Sequence, residues 1–187
     1  MIQPTFEFPG IKIWDDFIDD RFILDLDEES NNYSWSLDNV ANRKSFPYKL
    51  KGSHLLWASN FFKLNEAPKK ISNLYNFLIN DIIQSPYILE NIQLNGQFLG
   101  QNGTTHTDSK FNEGKMTLMV FITFKWQKEW GGEFQLLEEY KDNAKIIKSI
   151  EYIPGRIILF DGSIPHRGLA PTKPNIFRKS LVFRIKK

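Results

Sequence analysis

The sequence predicts a mainly β protein, either a sandwich or a barrel, with helices packed against it. After about residue 90, apolar residues recur at every second position, and turn signals rich in Gly, Asn and Pro separate short runs. Short strands at such regular spacing are typical of sandwiches and barrels. In a chain of 187 residues we expect one domain, with residues 1–90 as a helical or irregular support region and residues 91–187 as the β core.

Helical patterns dominate the first half of the chain. The acidic stretch WDDFIDDRFILDLDEES predicts a helix whose inner side carries Trp14, Phe17, Phe22 and either Leu24 or Leu26. A clearer helix runs from residue 68 to about residue 84, because apolar residues recur there at three- and four-residue spacing before Pro86 ends it. Residues 30–60 are expected to form loops and short strands, with His54 as a surface or hydrogen-bonding residue.

Predicted strands follow one another in the second half of the chain. They begin with NIQLNGQFLGQ and continue at residues 116–126, 133–137, 145–153, 156–160 and 176–185. In NIQLNGQFLGQ, Gln93, Asn95 and Gln97 share one face of the strand, because side chains alternate along an extended chain. This polar face points either into a barrel or to solvent.

Composition excludes several classes of protein. The chain has no cysteine, which rules out disulfides, thiolate metal sites and a catalytic Cys. A formal net charge of +2 without a basic stripe argues against a nucleic acid partner. Because no signal peptide and no membrane-spanning run occur, we expect a cytoplasmic protein without a membrane partner. The sequence gives no indication of oligomeric state.

Two of the three histidines, together with one aspartate, predict a metal site. In TTHTDS, His106 and Asp108 stand two residues apart, which places them on the same face of an extended chain. His166, in a turn after the strand GRIILFD, is the natural third ligand from a distant part of the chain. Two imidazoles and one carboxylate on one side of an ion form the facial arrangement of non-haem Fe(II) oxygenases.

A candidate carboxylate-binding pair follows in FRKSLVFRIKK. Arg178 and Ser180 share one face of the predicted strand, and the guanidinium fork matches a carboxylate. A charge inside an apolar barrel needs a partner, which a dicarboxylate cosubstrate would supply. Two alternatives stay open at this point. Arg178 could lie on the surface of an edge strand, or Arg184, roughly 20 Å further along the same face, could bind the carboxylate instead.

Residues 93–186 resemble the double-stranded β-helix core of the 2-oxoglutarate- and Fe(II)-dependent oxygenases, and most closely their prolyl-4-hydroxylase-like branch with its phage and bacterial members. The matching stretches, in the order of the family, are NGQFLGQNGTTHTDS, VFITFKWQKEWGGEFQLLEE, YIPGRIILFDGSIPHRGLAP and RKSLVFR. The resemblance implies a jelly-roll, cupin-like core with flanking helices. It also implies that His106, Asp108 and His166 bind Fe(II) and act in catalysis, and that Arg178, helped by Ser180, binds 2-oxoglutarate.

Many relatives also contact the cosubstrate through a polar or tyrosyl side chain on the strand before the His-x-Asp pair. No Tyr occupies that strand here, so Asn95 and Gln97 are the residues available for this role. The cofactors that the resemblance implies are Fe(II), 2-oxoglutarate and O2, with ascorbate as a further candidate.

The implied activity is hydroxylation of a small molecule or of a peptide or protein, with a prolyl residue as the nearest likeness. Substrate determinants are expected in residues 30–60, in residues 109–115 and near residues 126–130. A non-catalytic jelly-roll binding or structural module is the alternative function. A nucleobase-oxidising relative is a third possibility, which the composition disfavours because it shows no basic groove.

Overall fold

A computed structural model describes residues 2–39, 55–141 and 143–187 of the chain. His54 and the rest of residues 40–54, about half of the region expected to form loops and short strands, lie outside these residues. The strands in chain order are β1 (Phe6–Phe8), β2 (Ile11–Trp14), β3 (Ser36–Asn39), β4 (Leu56–Phe61), β5 (Ile88–Gln97), β6 (Lys115–Phe121), β7 (Phe134–Leu137), β8 (Ile146–Ile150), β9 (Ile157–Asp161), β10 (His166–Gly168) and β11 (Arg178–Lys186). The helices are α1 (Asp20–Ser30) and α2 (Lys69–Phe77), which continues as a π-helical turn (Leu78–Ile83), and a short 3-10 helix (Lys128–Trp130) lies before β7.

The strands form two antiparallel sheets. The larger sheet has the order β1-β2-β9-β6-β11-β5-β4-β3, and the smaller sheet has the order β10-β7-β8. Strands close in the fold are often distant in sequence, since β11 at the end of the chain lies between β6 and β5. These crossovers give the predicted double-stranded β-helix.

Side chains alternate along the central strands and serve two separate cores. On β11, Leu181 and Phe183 point to the core beneath the helices, whereas Val182 between them points to the core between the two sheets. On β6, Val120 likewise points to the core beneath the helices, and Met119 points to the core between the two sheets. The larger sheet is therefore buried on both faces, which explains why its strands include nearly continuous apolar runs such as LMVF.

The second helix agrees with its prediction. α2 begins after Pro68, and the π-helical turn ends at Gln84, whose φ of 52° is left-handed. Ile71, Leu74 and Leu78 form its buried stripe.

The first helix is shorter than predicted. It begins only at Asp20, because the side chain of Asp19 caps it by accepting a hydrogen bond of 3.2 Å from the Phe22 amide. The placement of Trp14 and Phe17 on this helix was wrong, since Trp14 ends β2, where it is fully buried, and Phe17 lies before the helix begins. Ile23 and Leu26 are the apolar residues that the helix buries.

The N-terminal half also contributes strands to the larger sheet. β1 and β2, which the sequence did not predict, extend it beyond β9. β3 and β4 lie where short strands were expected and extend it beyond β5. Within the part of the chain that the structure describes, no helix has both the length and the hydrophobicity that crossing a membrane requires.

A buried ion pair joins α1 to the central strand β11. The ammonium group of Lys179 is 2.6 Å from a carboxylate oxygen of Asp27, and it also donates hydrogen bonds to Ser30 and Asn31. The other carboxylate oxygen of Asp27 accepts a hydrogen bond of 2.9 Å from the Phe124 amide. Because the side chains of Lys179 and Asp27 are 2 % and 18 % exposed, this ion pair is largely shielded from solvent.

We expect Lys179→Met to lower the free energy of unfolding by about 3–5 kcal/mol, because it leaves the Asp27 carboxylate shielded and without its counter-charge. Lys70→Met is the matched control. Lys70 pairs at 2.7 Å with Glu29, which lies on α1 like Asp27, but this pair is near the surface. Urea denaturation of both variants measures the difference. Equal destabilisation by the two substitutions would show that burial of the Lys179 pair contributes nothing.

Candidate active site

An isolated antiparallel bridge places two distant histidines side by side. The backbone amide of His106 donates to the carbonyl of His166 at 3.0 Å, and the reverse bond is 2.9 Å long. Residues that exchange both hydrogen bonds lie directly opposite each other and send their side chains to the same face. The two imidazole ring centres are consequently 4.3 Å apart. His166 begins β10, so its predicted position in a turn was wrong.

Both imidazoles are held in the same way. His106 Nδ1 lies 3.0 Å from the Thr104 carbonyl, and His166 Nδ1 lies 2.7 Å from the Ile164 carbonyl. A carbonyl can only accept, so each Nδ1 carries the proton and donates it. The Nε2 lone pair of each ring is then free to bind a metal, as in metal sites where the second ring nitrogen fixes the tautomer.

Asp108 completes a group of three ligand atoms that lie within 4.8 Å of one another. Its Oδ1 is 3.5 Å from His106 Nε2, and its Oδ2 is 3.4 Å from His166 Nε2. The backbone holds the carboxylate in place, because the Asp108 amide donates to the Gly162 carbonyl at 2.7 Å.

The protonation states of this group suit a divalent cation. Burial alone would raise the pKa of Asp108, but the neighbouring imidazoles and the Arg184 guanidinium hold it well below its usual range. Burial lowers the pKa of His166, which favours the neutral form of the ring. An ionised carboxylate and neutral imidazoles are the forms that bind a metal.

A buried guanidinium lies at the other end of the same cavity. Arg178 is 2 % exposed, its Nε donates to the Gly132 carbonyl at 2.8 Å, and its Nη1 donates to Gln97 Oε1 at 2.9 Å. Its Nη2 has no hydrogen-bond partner among the described residues. Burial lowers the pKa of Arg178 to about 10, which still leaves it charged at neutral pH.

Aromatic rings pack against this guanidinium. The Arg178 guanidinium carbon lies 5.2 Å from the ring centre of Phe121 and 5.0 Å from that of Tyr152, within the range of cation–π attraction. Trp126 packs on Tyr152 with ring centres 4.1 Å apart. A Cβ atom at Gly132, whose φ is +77°, would lie 2.6 Å from Trp126, so glycine is needed for this close packing.

The polar face of β5 points into the barrel, as one of its two alternatives predicted. Gln93, Asn95 and Gln97 all line a cavity of about 270 Å³ together with Arg178 and the three metal-ligand candidates. Asn95 Oδ1 accepts a hydrogen bond of 3.0 Å from Asn39. Gln97 holds Arg178, and its amide nitrogen donates to the carbonyls of Gln101 and Gly168.

The two arginines of β11 differ in their hydrogen-bond and ion-pair partners. Arg178, Ser180, Val182 and Arg184 all face the cavity, in that order along the strand. Arg184 contacts Asp108 through a close ion pair and donates to Thr117 at 2.9 Å. The contacts of Thr117 and Arg184 with Asp108 were not predicted. A single polar residue in the apolar run KMTLMVF was the available signal for Thr117.

The chain belongs to the 2OG-Fe(II) oxygenase superfamily, whose sequence profile matches residues 92–185. It is an enzyme of the 2-oxoglutarate-dependent dioxygenase class, and its cofactors are Fe(II) and the cosubstrate 2-oxoglutarate. The donor set of two imidazoles and a carboxylate fits the metal. The buried nitrogen of Arg178 that has no partner in the described part of the chain fits a carboxylate of the cosubstrate.

Solved structures with the same fold include prolyl hydroxylases of the predicted branch. A prolyl-4-hydroxylase of Pseudomonas putida is 12% identical, with a TM-score of 0.62 over 95% of this chain and 92% of that one. A viral collagen prolyl hydroxylase from Paramecium Bursaria Chlorella virus-1, solved with 2-oxoglutarate, is 18% identical, with a TM-score of 0.60 over 95% and 96%. A Trichoplax adhaerens prolyl hydroxylase, solved with a hypoxia inducible factor peptide, is 17% identical, with a TM-score of 0.64 over 95% and 83%. No curated protein matches the chain significantly.

Proposed function

We propose that His106, Asp108 and His166 hold the Fe(II) of this dioxygenase and that Arg178 binds the distal carboxylate of 2-oxoglutarate. The observation that carries the proposal is one continuous cavity with a three-ligand cluster towards one end and a buried, half-satisfied guanidinium at the other. In a binding or structural module that takes no carboxylate ligand, such a buried guanidinium would lower stability without any functional gain.

Bound Fe(II) supplies the redox chemistry that couples oxidation of 2-oxoglutarate to hydroxylation of a substrate. The protein's own residues orient the reactants and exclude water. Arg178 fixes the cosubstrate through charge-assisted hydrogen bonds, while Gln97 and the Gly132 carbonyl fix Arg178. Ser180, next along the inner face of β11, and Asn95, opposite it in register, line the same cavity and would contact the cosubstrate.

The proposed substrate is a prolyl residue of a peptide or protein. Support comes from the prolyl-4-hydroxylase-like motifs of the sequence and from the fold shared with prolyl hydroxylases, one of which was solved with a peptide. Residues 1–187 would act as one oxygenase domain, because strands from both halves of the chain share the larger sheet. Ascorbate stays a prediction of the resemblance.

Two measurements test the proposal. First, anaerobic addition of Fe(II) and 2-oxoglutarate should produce a weak visible charge-transfer band, and a protein without the proposed site would give none. Second, proline-containing peptides should gain one oxygen atom by mass spectrometry, with one succinate formed for each hydroxylation. Free amino acids and nucleosides serve as comparison substrates. If a free amino acid or a nucleoside is hydroxylated with formation of succinate and no peptide is, the prolyl assignment is refuted. The proposed iron site would remain supported.

A further inference from the structure

The carboxylate of Asp108 is held by two side chains from the strands behind it. Thr117 on β6 donates its hydroxyl to Asp108 Oδ2 at 2.6 Å. Arg184 on β11 contacts the same oxygen through Nη1, and this nitrogen also donates to the Thr117 hydroxyl at 2.9 Å. Since Thr117 and Arg184 are opposite in register, the three groups form a closed triangle.

This triangle distinguishes the two oxygens of the carboxylate. Oδ2 already accepts hydrogen bonds from Thr117 and Arg184, so its lone pairs are engaged. Both oxygens face an imidazole, since Oδ1 lies 3.5 Å from His106 Nε2 and Oδ2 lies 3.4 Å from His166 Nε2, but Oδ1 is the oxygen to which neither Thr117 nor Arg184 donates. Because Asp108 is 4 % exposed and Thr117 is 1 % exposed, solvent does not compete for these contacts.

We propose that Arg184 and Thr117 are positioning residues, which fix Asp108 so that it offers the metal one oxygen, Oδ1, and cannot rotate to offer both. A carboxylate that binds through one oxygen leaves more of the metal's coordination sphere for other ligands. The inference rests on the proposed iron site and gives Arg184 a role different from binding 2-oxoglutarate.

The direction in which metal affinity changes when Arg184 is removed tests the proposal. A guanidinium next to a divalent cation repels it, so its removal should by itself strengthen metal binding. Loss of a partner that orients a metal ligand typically weakens binding by about 10- to 100-fold. If positioning dominates, removal of Arg184 weakens metal binding even though it removes a repelling charge.

The experiment titrates metal-free protein with Ni(II) by calorimetry. We expect Thr117→Val, which changes no charge, to weaken Ni(II) binding about tenfold, and Arg184→Met to weaken it at least as much. Arg184→Lys can still donate to the carboxylate and should retain more affinity than Arg184→Met. The double variant Thr117→Val/Arg184→Met should lose less than the product of the single losses, because both act on one oxygen.

Further measurements separate positioning from folding. Thr172→Val and Arg21→Lys, both at exposed positions, are matched controls and should bind Ni(II) like wild type. Urea denaturation of the metal-free variants checks the fold, and the visible spectrum of Co(II)-loaded protein reports the ligand arrangement, which Thr117→Val should change.

Wild-type affinity in both Thr117→Val and Arg184→Met would overturn the inference, as would tighter binding by Arg184→Met, since Arg184 would then only compete with the metal. Failure of the wild-type protein to bind Ni(II), or undiminished binding by His106→Ala, would instead refute the proposed iron site.

Discussion

His106→Ala should abolish iron-dependent formation of succinate from 2-oxoglutarate. Its imidazole is a candidate ligand whose Nδ1 is already committed to the Thr104 carbonyl. Loss of a ligand should exceed the 10- to 100-fold effect of losing an outer partner, so we expect turnover to fall by more than about 100-fold. The side chain is 17% exposed, so its removal should disturb packing little.

His166→Ala should have the same effect on turnover but at a greater structural cost. His166 lies 5.3 Å from the Phe134 ring centre and 4.8 Å from that of Phe160, so alanine leaves a cavity in the core. His166→Gln keeps more volume and separates loss of the ligand from loss of packing. Tyr140→Ala, at a half-exposed ring, is the control. Succinate formation at the wild-type rate by folded His106→Ala or His166→Gln protein would contradict the iron assignment.

The convergence of the three candidate ligands could be predicted in part, because two of them lie close together in the sequence. His106 and Asp108 share a face for a reason that holds in any extended segment. Their approach to His166 depends on the pairing of residue 106 with residue 166, and no local pattern records a register between such distant residues. The ordered series of motifs supplied that link through family resemblance.

The strands that the sequence did not predict, β1 and β2, are too short for hydrophobic periodicity to identify. β1 and β2 contain only three and four residues. Alternation over so few residues is indistinguishable from chance, and the register with β9 that stabilises β2 comes from a partner at the other end of the chain. The same limit explains His166, because β10 has three residues and follows Pro165 directly.

The choice between Arg178 and Arg184 required contacts that the sequence does not contain. Both lie on the inner face of β11, so alternation treats them alike. They differ only in their neighbours. Arg178 binds Gln97 and Gly132, and one of its nitrogens has no partner among the described residues, whereas Arg184 binds Asp108 and Thr117.

Arg178→Met should therefore weaken 2-oxoglutarate binding while leaving metal binding nearly unchanged. Truncating one partner of a buried, hydrogen-bonded charge pair costs about 2–5 kcal/mol, which corresponds to a loss of about 30-fold or more in affinity. Arg178 does not contact the metal-ligand candidates, since its bonds go to Gly132 and Gln97. Calorimetric titration of Ni(II)-saturated protein with 2-oxoglutarate measures the change.

Arg178→Lys sharpens this test, because lysine keeps the charge but loses the planar fork that matches a carboxylate. We expect it to bind 2-oxoglutarate more weakly than wild type and more tightly than Arg178→Met. Arg184→Met, on the same strand face, is the matched comparison and should affect 2-oxoglutarate less than Ni(II). If Arg184→Met instead weakens 2-oxoglutarate binding to the Ni(II)-saturated protein and Arg178→Met does not, the carboxylate lies at the other end of the cavity. The two arginines would then exchange roles, and the unpartnered nitrogen of Arg178 would need another ligand.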